Sequence, residues 1–129
     1  MKPSTTSFAA LLETAHTLAD LSGELILRRF RRPIAVEDKG SAHGFDPVTA
    51  ADRDAERVIS RYLLRHHPSH AIVGEEHGSR DGDGTSRYRW VIDPIDGTKA
   101  FITGSPLWGT LIGLLDGDTP LLGMMNQPF

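Results

Sequence analysis

Apolar residues recur at helical spacing through the opening part of the chain: Phe8, Leu11, Leu12, Ala15, Leu18, Ala19, Ile26 and Leu27. That stripe predicts a helix from about Ser7 to Phe30, with Pro33 behind it as a stop. A second stripe, Val58, Ile59, Tyr62 and Leu63, predicts a helix from about Ala50 to His67, ended by Pro68. Between the two, Gly40 to Phe45 reads as a flexible loop. The pattern then changes to short apolar runs: Ala71 to Gly74, Tyr88 to Asp93, Leu107 to Leu115 and Leu121 to Gln127. Gly78 to Ser86 is polar and glycine-rich, so it reads as a surface loop, and Asp116-Gly117-Asp118 joins the last two runs with hairpin chemistry. Two helices followed by mainly antiparallel strands give an α+β layer arrangement. The last strand ends at the chain terminus with no obvious cover, which reads as the first part of something longer.

Composition narrows the chemistry. The chain has 129 residues, enough for one domain or part of a larger one. A net charge of -3 gives no general attraction to nucleic acid or to an anionic membrane. There is no cysteine, so disulfides and thiolate metal sites are excluded, which suits a cytoplasmic location. The apolar stretch from Phe8 to Leu27 is broken by Glu13, His16, Asp20 and Glu24, so it reads neither as a membrane span nor as a secretory signal. The basic run Arg28 to Arg32 reads as the end of a helix, where cations suit the dipole.

The run Trp90 to Thr98 carries the most chemistry. It reads as an apolar strand ending in two carboxylates, Asp93 and Asp96, then Gly97 and a hydroxyl, Thr98. Gly97 permits a backbone conformation that other residues disfavour, and Thr98 opens a short helical turn whose N–H groups suit a phosphate oxygen. The same letters are also ordinary turn chemistry, with Asp96 as a helix cap. Asp52 at a helix start and Glu75 at a strand end stand ready to join Asp93 and Asp96. Two such charges about 4 Å apart repel by roughly 4 kcal/mol at an effective dielectric near 20. A divalent cation removes that cost, and all-oxygen ligands favour Mg²⁺, Mn²⁺ or Ca²⁺. His66, His67, His70 and His77 offer zinc as the competing metal, but Pro68 interrupts the helix between His66 and His70. No nucleophile elbow, P-loop or dinucleotide fingerprint occurs.

Three segments taken together, Asp46-Pro47-Val48-Thr49-Ala50-Ala51-Asp52, Gly74-Glu75-Glu76 and Asp93-Pro94-Ile95-Asp96-Gly97-Thr98, resemble the inositol monophosphatase family. Lys99 and the run Gly104 to Gly113 look most like its histidinol-phosphate phosphatase branch. The resemblance implies a layered α/β sandwich of the sugar-phosphatase type and hydrolysis of a small phosphate monoester by metal-activated water. It implies that Glu75, Asp93 and the Ile95 carbonyl hold one Mg²⁺ and that Asp93 and Asp96 serve a second, within a family site of two or three ions. Thr98 paired with Asp52 would activate water alongside Glu75. The N–H groups of Gly97 and Thr98 would hold phosphate. Thr49 would support Asp52, and Lys39 would lie near the phosphate.

The resemblance also implies a second half with a Trp-Asp motif that completes the second metal site. Neither Trp90 nor Trp108 is followed by Asp, so residues 1–129 read as the N-terminal metal- and phosphate-binding portion, with the C-terminal half absent. The expected partners are a phosphorylated small molecule and either a second copy or a complementing C-terminal half. The alternatives are an inositol monophosphatase, a 3′-phosphonucleotide phosphatase, and a truncated fragment without catalysis.

Overall fold

A computed structural model describes residues 6–33, 35–38 and 47–129. Helix α1 spans Phe8–Leu27 and starts on Ser7, whose side chain accepts from the Ala10 N–H. It stops three residues short of the predicted end. Residues 28–30 form a turn, with the Arg29 and Phe30 N–H groups both donating to the Ile26 carbonyl. Arg31 follows in the left-handed region at φ 60°. Helix α2 spans Ala50–His66 and begins with a capping box. The Thr49 hydroxyl accepts from the Asp52 N–H while the Asp52 carboxylate accepts from the Thr49 N–H, so two orphan donors are satisfied at once.

The strands form two sheets. Strands β1 (Val36–Asp38) and β2 (Pro47–Thr49) make a small antiparallel pair that the sequence pattern does not announce. The main sheet contains β3 (Ala71–Gly74), β4 (Gly78–Arg80), β5 (Tyr88–Asp96), β6 (Gly109–Asp116) and β7 (Thr119–Asn126), in the order β4-β3-β5-β6-β7. Its pairings are antiparallel except β3 with β5, which run parallel. The stretch predicted as pure loop after Gly78 therefore contributes an edge strand; all three of its residues are exposed, which hid it from a hydrophobic pattern. A short helix α3 (Thr98–Thr103) sits between β5 and β6.

Helices α1 and α2 pack together and cover one face of the sheet. Leu11, Leu18, Ile59, Leu63, Trp90 and Ile112 are at most 1% exposed in the core between them. The buried face of α1 differs from the predicted stripe: Phe8, Leu12 and Leu27 are exposed, while Thr14 and Ser22 are buried. Ser22 is admitted because its hydroxyl donates to the Leu18 carbonyl at 2.8 Å, so no polar group is stranded. A second cluster, Ile26, Phe30, Ala55, Ile95, Phe101 and Trp108, packs α3 against the ends of α1 and α2. That cluster is what fixes the start of α3 beside the end of β5. Among the described residues, no helix is long and apolar enough to cross a membrane.

Candidate active site

Asp93 and Asp96 lie in the same strand, three residues apart. In a regular strand that odd separation would send their side chains to opposite faces. The register prevents this. Asp93 pairs with Leu111 and Asp96 with Gly109, so β5 spends one residue more than β6 over this stretch. The extra residue is a β-bulge at Pro94-Ile95, which re-aims the side chains beyond it. Pro94 has no N–H to lose from the ladder. Its carbonyl accepts from the buried Thr110 hydroxyl at 2.7 Å. The strand predicted to stop at Asp93 thus continues through a bulge to Asp96.

The bulge brings acidic groups into one another's field. The Asp93 carboxyl is pushed up to about 6, first by burial and then by the negative charges of Glu75, Asp96, Asp52 and Glu76. Glu75 stands beside Asp93 because β3 runs parallel to β5, with Gly74 opposite Ile92 and the Glu75 N–H donating to the Ile92 carbonyl at 3.1 Å. Glu75 and Glu76 occupy a turn, so they do not alternate along a strand as a continued β3 would require. Among the described residues, no three carboxylate or histidine side chains already stand close enough to enclose an ion. The donor set is nevertheless all oxygen and its carboxylates repel one another at Asp93, and that chemistry fits a hard divalent cation.

Asp52 is buried, 1% exposed, and its two oxygens have separate partners. Oδ2 accepts from the Thr49 hydroxyl at 2.6 Å and the Thr49 N–H at 3.0 Å. Oδ1 accepts from the Thr98 hydroxyl at 3.2 Å. The same Thr98 Oγ1 lies 3.1 Å from the Ile95 carbonyl oxygen, so one donor faces two acceptors. Gly97 adopts φ 92°, and a Cβ there would meet the Leu107 carbonyl at 2.8 Å; both demand glycine. Thr98 then starts α3, with the Phe101 N–H closing the first turn on the Gly97 carbonyl. The structure therefore gathers Thr49, Asp52, Glu75, Asp93, Ile95, Asp96, Gly97 and Thr98. Lys39 and the loop Gly40 to Phe45 lie outside the described residues.

An open groove of about 540 Å³ runs from Glu75 and Asp93 over the sheet face turned away from the helices, past Val91, Leu111 and Met125. The histidines are occupied elsewhere. The His70 ring stacks on His67 at 4.5 Å and accepts the Trp90 indole N–H at Nδ1, 3.0 Å away. His67 Nε2 bonds the Thr14 hydroxyl at 3.0 Å. Burial, then the neighbouring His67, lowers the His70 imidazole to about 4. These rings tie α1, the end of α2 and β5 together as packing groups, and the zinc alternative finds no cluster among the described residues.

One buried acid escaped the sequence reading. Glu56, on α2, is 1% exposed and accepts the backbone N–H groups of Glu76, at 2.8 Å, and of His77. Its spacing of four from Asp52 was the available signal, since that spacing puts both on one helix face.

Comparison with known proteins shows the family. The model of the inositol monophosphatase family matches residues 8–129. The chain is 47% identical over 121 residues to the bifunctional phosphatase IMPL2, chloroplastic, of Arabidopsis thaliana, covering 94% of this chain and 33% of that protein. It is 40% identical over 122 residues to the histidinol-phosphatase of Streptomyces coelicolor, covering 91% of this chain and 44% of the relative. The structure superimposes on an inositol monophosphatase from Zymomonas mobilis with a TM-score of 0.74 and 38% identity, over 97% of this chain and 46% of the other. The chain thus spans less than half the length of each.

Proposed function

The chain belongs to the inositol monophosphatase family, and on that footing we propose that it carries the metal- and phosphate-binding portion of a Mg²⁺-dependent phosphate monoester hydrolase acting on histidinol phosphate. The observation that carries this reading is the raised Asp93 carboxyl, half-buried and facing the charges of Glu75, Asp96 and Asp52 near the Thr98 hydroxyl. A site that concentrates negative charge at its own cost is built for a cation.

Glu75, Asp93, Asp96 and the Ile95 carbonyl are the groups that would hold Mg²⁺. Glu75 and Asp96 are exposed at the edge of the site, with Asp93 half-buried between them. When bound, the metal acidifies water and offsets charge on the phosphoryl group. The chain's own residues do the rest. Thr98 Oγ orients the attacking water and accepts its hydrogen bond, while its own proton points to Asp52 Oδ1. Thr49 holds Asp52 by the other oxygen, so the carboxylate cannot turn away. The N–H groups at Gly97 and Thr98, which have no carbonyl ahead of them in the helix, suit the phosphate oxygens. Water adds to phosphorus as the ester P–O bond breaks, giving inorganic phosphate and the alcohol.

The choice of histidinol phosphate rests on Lys99, on the run Gly104 to Gly113 and on the 40% identity to a histidinol-phosphatase. The test compares phosphate release from histidinol phosphate, inositol monophosphate and a 3′-phosphonucleotide in Mg²⁺. The chain is assayed alone and joined to the second half of the Streptomyces relative. Preference for histidinol phosphate supports the reading. Faster release from either other ester moves the substrate, and no release from any ester by the joined chain favours a fragment without catalysis.

A further inference from the structure

Glu75 is held from two sides. Its own N–H donates to the Ile92 carbonyl on β5. The next two N–H groups in the turn, at Glu76 and His77, both donate to the carboxylate of Glu56 on α2. Carboxylate acceptors make the stronger class of hydrogen bond, and this one is almost fully shielded from water. Gly74 makes room for it: a Cβ at that position would stand 2.5 Å from the Glu56 carboxyl carbon. Helix α2 therefore sends two buried carboxylates, Asp52 and Glu56, from one face to the two sides of the same site, one to Thr98 and one to the turn that bears Glu75.

We infer that Glu56 is a positioning residue, which sets the affinity for a divalent cation by clamping the Gly74 to His77 turn and so fixing Glu75 beside Asp93. The inference rests on the reading that Glu75 and Asp93 hold that cation. Groups that orient a metal ligand typically change affinity 10- to 100-fold when removed. In Glu56→Gln the shape is kept, but an amide NH₂ must face one of the two backbone N–H groups. The turn then loses a bond and Glu75 loses its fixed place.

The experiment measures Mn²⁺ binding to the 129-residue chain by the electron paramagnetic resonance signal of free Mn²⁺. Wild type, Glu56→Gln, Glu75→Gln, the double variant and Gly74→Ala are compared, with circular dichroism melts to report folding. Glu56→Gln raises the Mn²⁺ Kd about tenfold or more, and the same change made in Glu75→Gln adds less than about twofold, because the group it acts through is gone. A merely structural role weakens binding alike in both backgrounds, and that result overturns the inference, as does an unchanged Kd in Glu56→Gln. Should Glu56→Gln fail to melt cooperatively, Gly74→Ala decides. Its methyl displaces the Glu56 carboxylate without removing it, and an unchanged Kd there overturns the inference too. Binding lost in Glu75→Gln but kept in Glu56→Gln refutes the role of Glu56 alone. Equal binding by wild type and Glu75→Gln refutes the metal reading itself.

Discussion

The Thr98 hydroxyl donates to Asp52 Oδ1 at 3.2 Å, joining the start of α3 to the start of α2 across 46 positions of sequence. Asp52 does two things at once: one oxygen closes the capping box of α2 and the other receives Thr98. The two duties are separable. Asp52→Asn keeps an oxygen for the Thr49 N–H but replaces the charged acceptor that faces Thr98. Phosphate release should fall by about 10²- to 10⁴-fold, the range for loss of a positioned proton acceptor, with little change in melting temperature. Thr49→Ala should show the reverse balance, costing about 1 kcal/mol of stability through the lost cap and less in rate. Steady-state rates beside urea titrations check both, and equal losses of rate in the two variants would count against a proton-handling role for Asp52.

The position of Asp93 costs the fold stability. Its carboxyl is raised from 3.8 to about 6 by burial and by its acidic neighbours, so over that window the folded chain keeps a proton that the unfolded chain has lost. Stability from this group therefore falls as pH rises from about 4 to about 6, and the penalty is complete above that. Asp93→Asn should stabilise the metal-free chain at neutral pH by on the order of 1–2 kcal/mol, allowing for screening by water at a half-buried site. Urea unfolding in chelator measures it; a destabilised variant would contradict the electrostatic account.

His70 acts in the opposite sense. Held at about 4 by burial and by His67, it stays neutral in the fold while the unfolded chain takes up a proton below about 6.5. The unfolded state binds more protons, so stability drops as pH falls from about 6.5 to about 4, by on the order of 2–3 kcal/mol. The two groups offset one another over much of this range, and Asp93→Asn should expose the steeper slope due to His70. In His70→Asn, whose amide oxygen can still accept from Trp90, the slope should flatten by one proton. Unfolding free energies across pH 4–7 test this, and parallel curves for wild type and His70→Asn would contradict it.

The bulge in β5 depends on Thr110, whose buried hydroxyl satisfies the Pro94 carbonyl. Thr110→Val keeps the volume and strands that carbonyl, at a cost of about 1–3 kcal/mol. Since the bulge aims Asp96 toward Asp93, Mg²⁺ affinity should weaken in the same variant. Thr110→Ser restores the hydroxyl and should restore the affinity; failure to do so would detach the bulge from metal binding.

What could be read from sequence followed from strong local signals. The stripes Leu11 to Leu18 and Val58 to Leu63 located the helices, and the apolar runs located the central strands. Asp93, Asp96, Gly97 and Thr98 stood out because glycine, proline and paired acids seldom gather without cause. Elements without burial were invisible: β1 and β4 are exposed along their whole length, so no alternation marks them. The end of α1 was misplaced because Arg28 keeps right-handed helical dihedrals and the chain goes on turning through Phe30, with no glycine or proline at the true end to mark it. Glu56 was missed because its partners are backbone N–H groups, and no side-chain pattern reveals those.

The most direct test of the account is a calorimetric Mg²⁺ titration of wild type and Asp93→Asn at neutral pH. Saturable binding by wild type, weakened about tenfold or more in a variant that is itself more stable, is the expected result. Matching isotherms for the two proteins, or no binding to either, would contradict it.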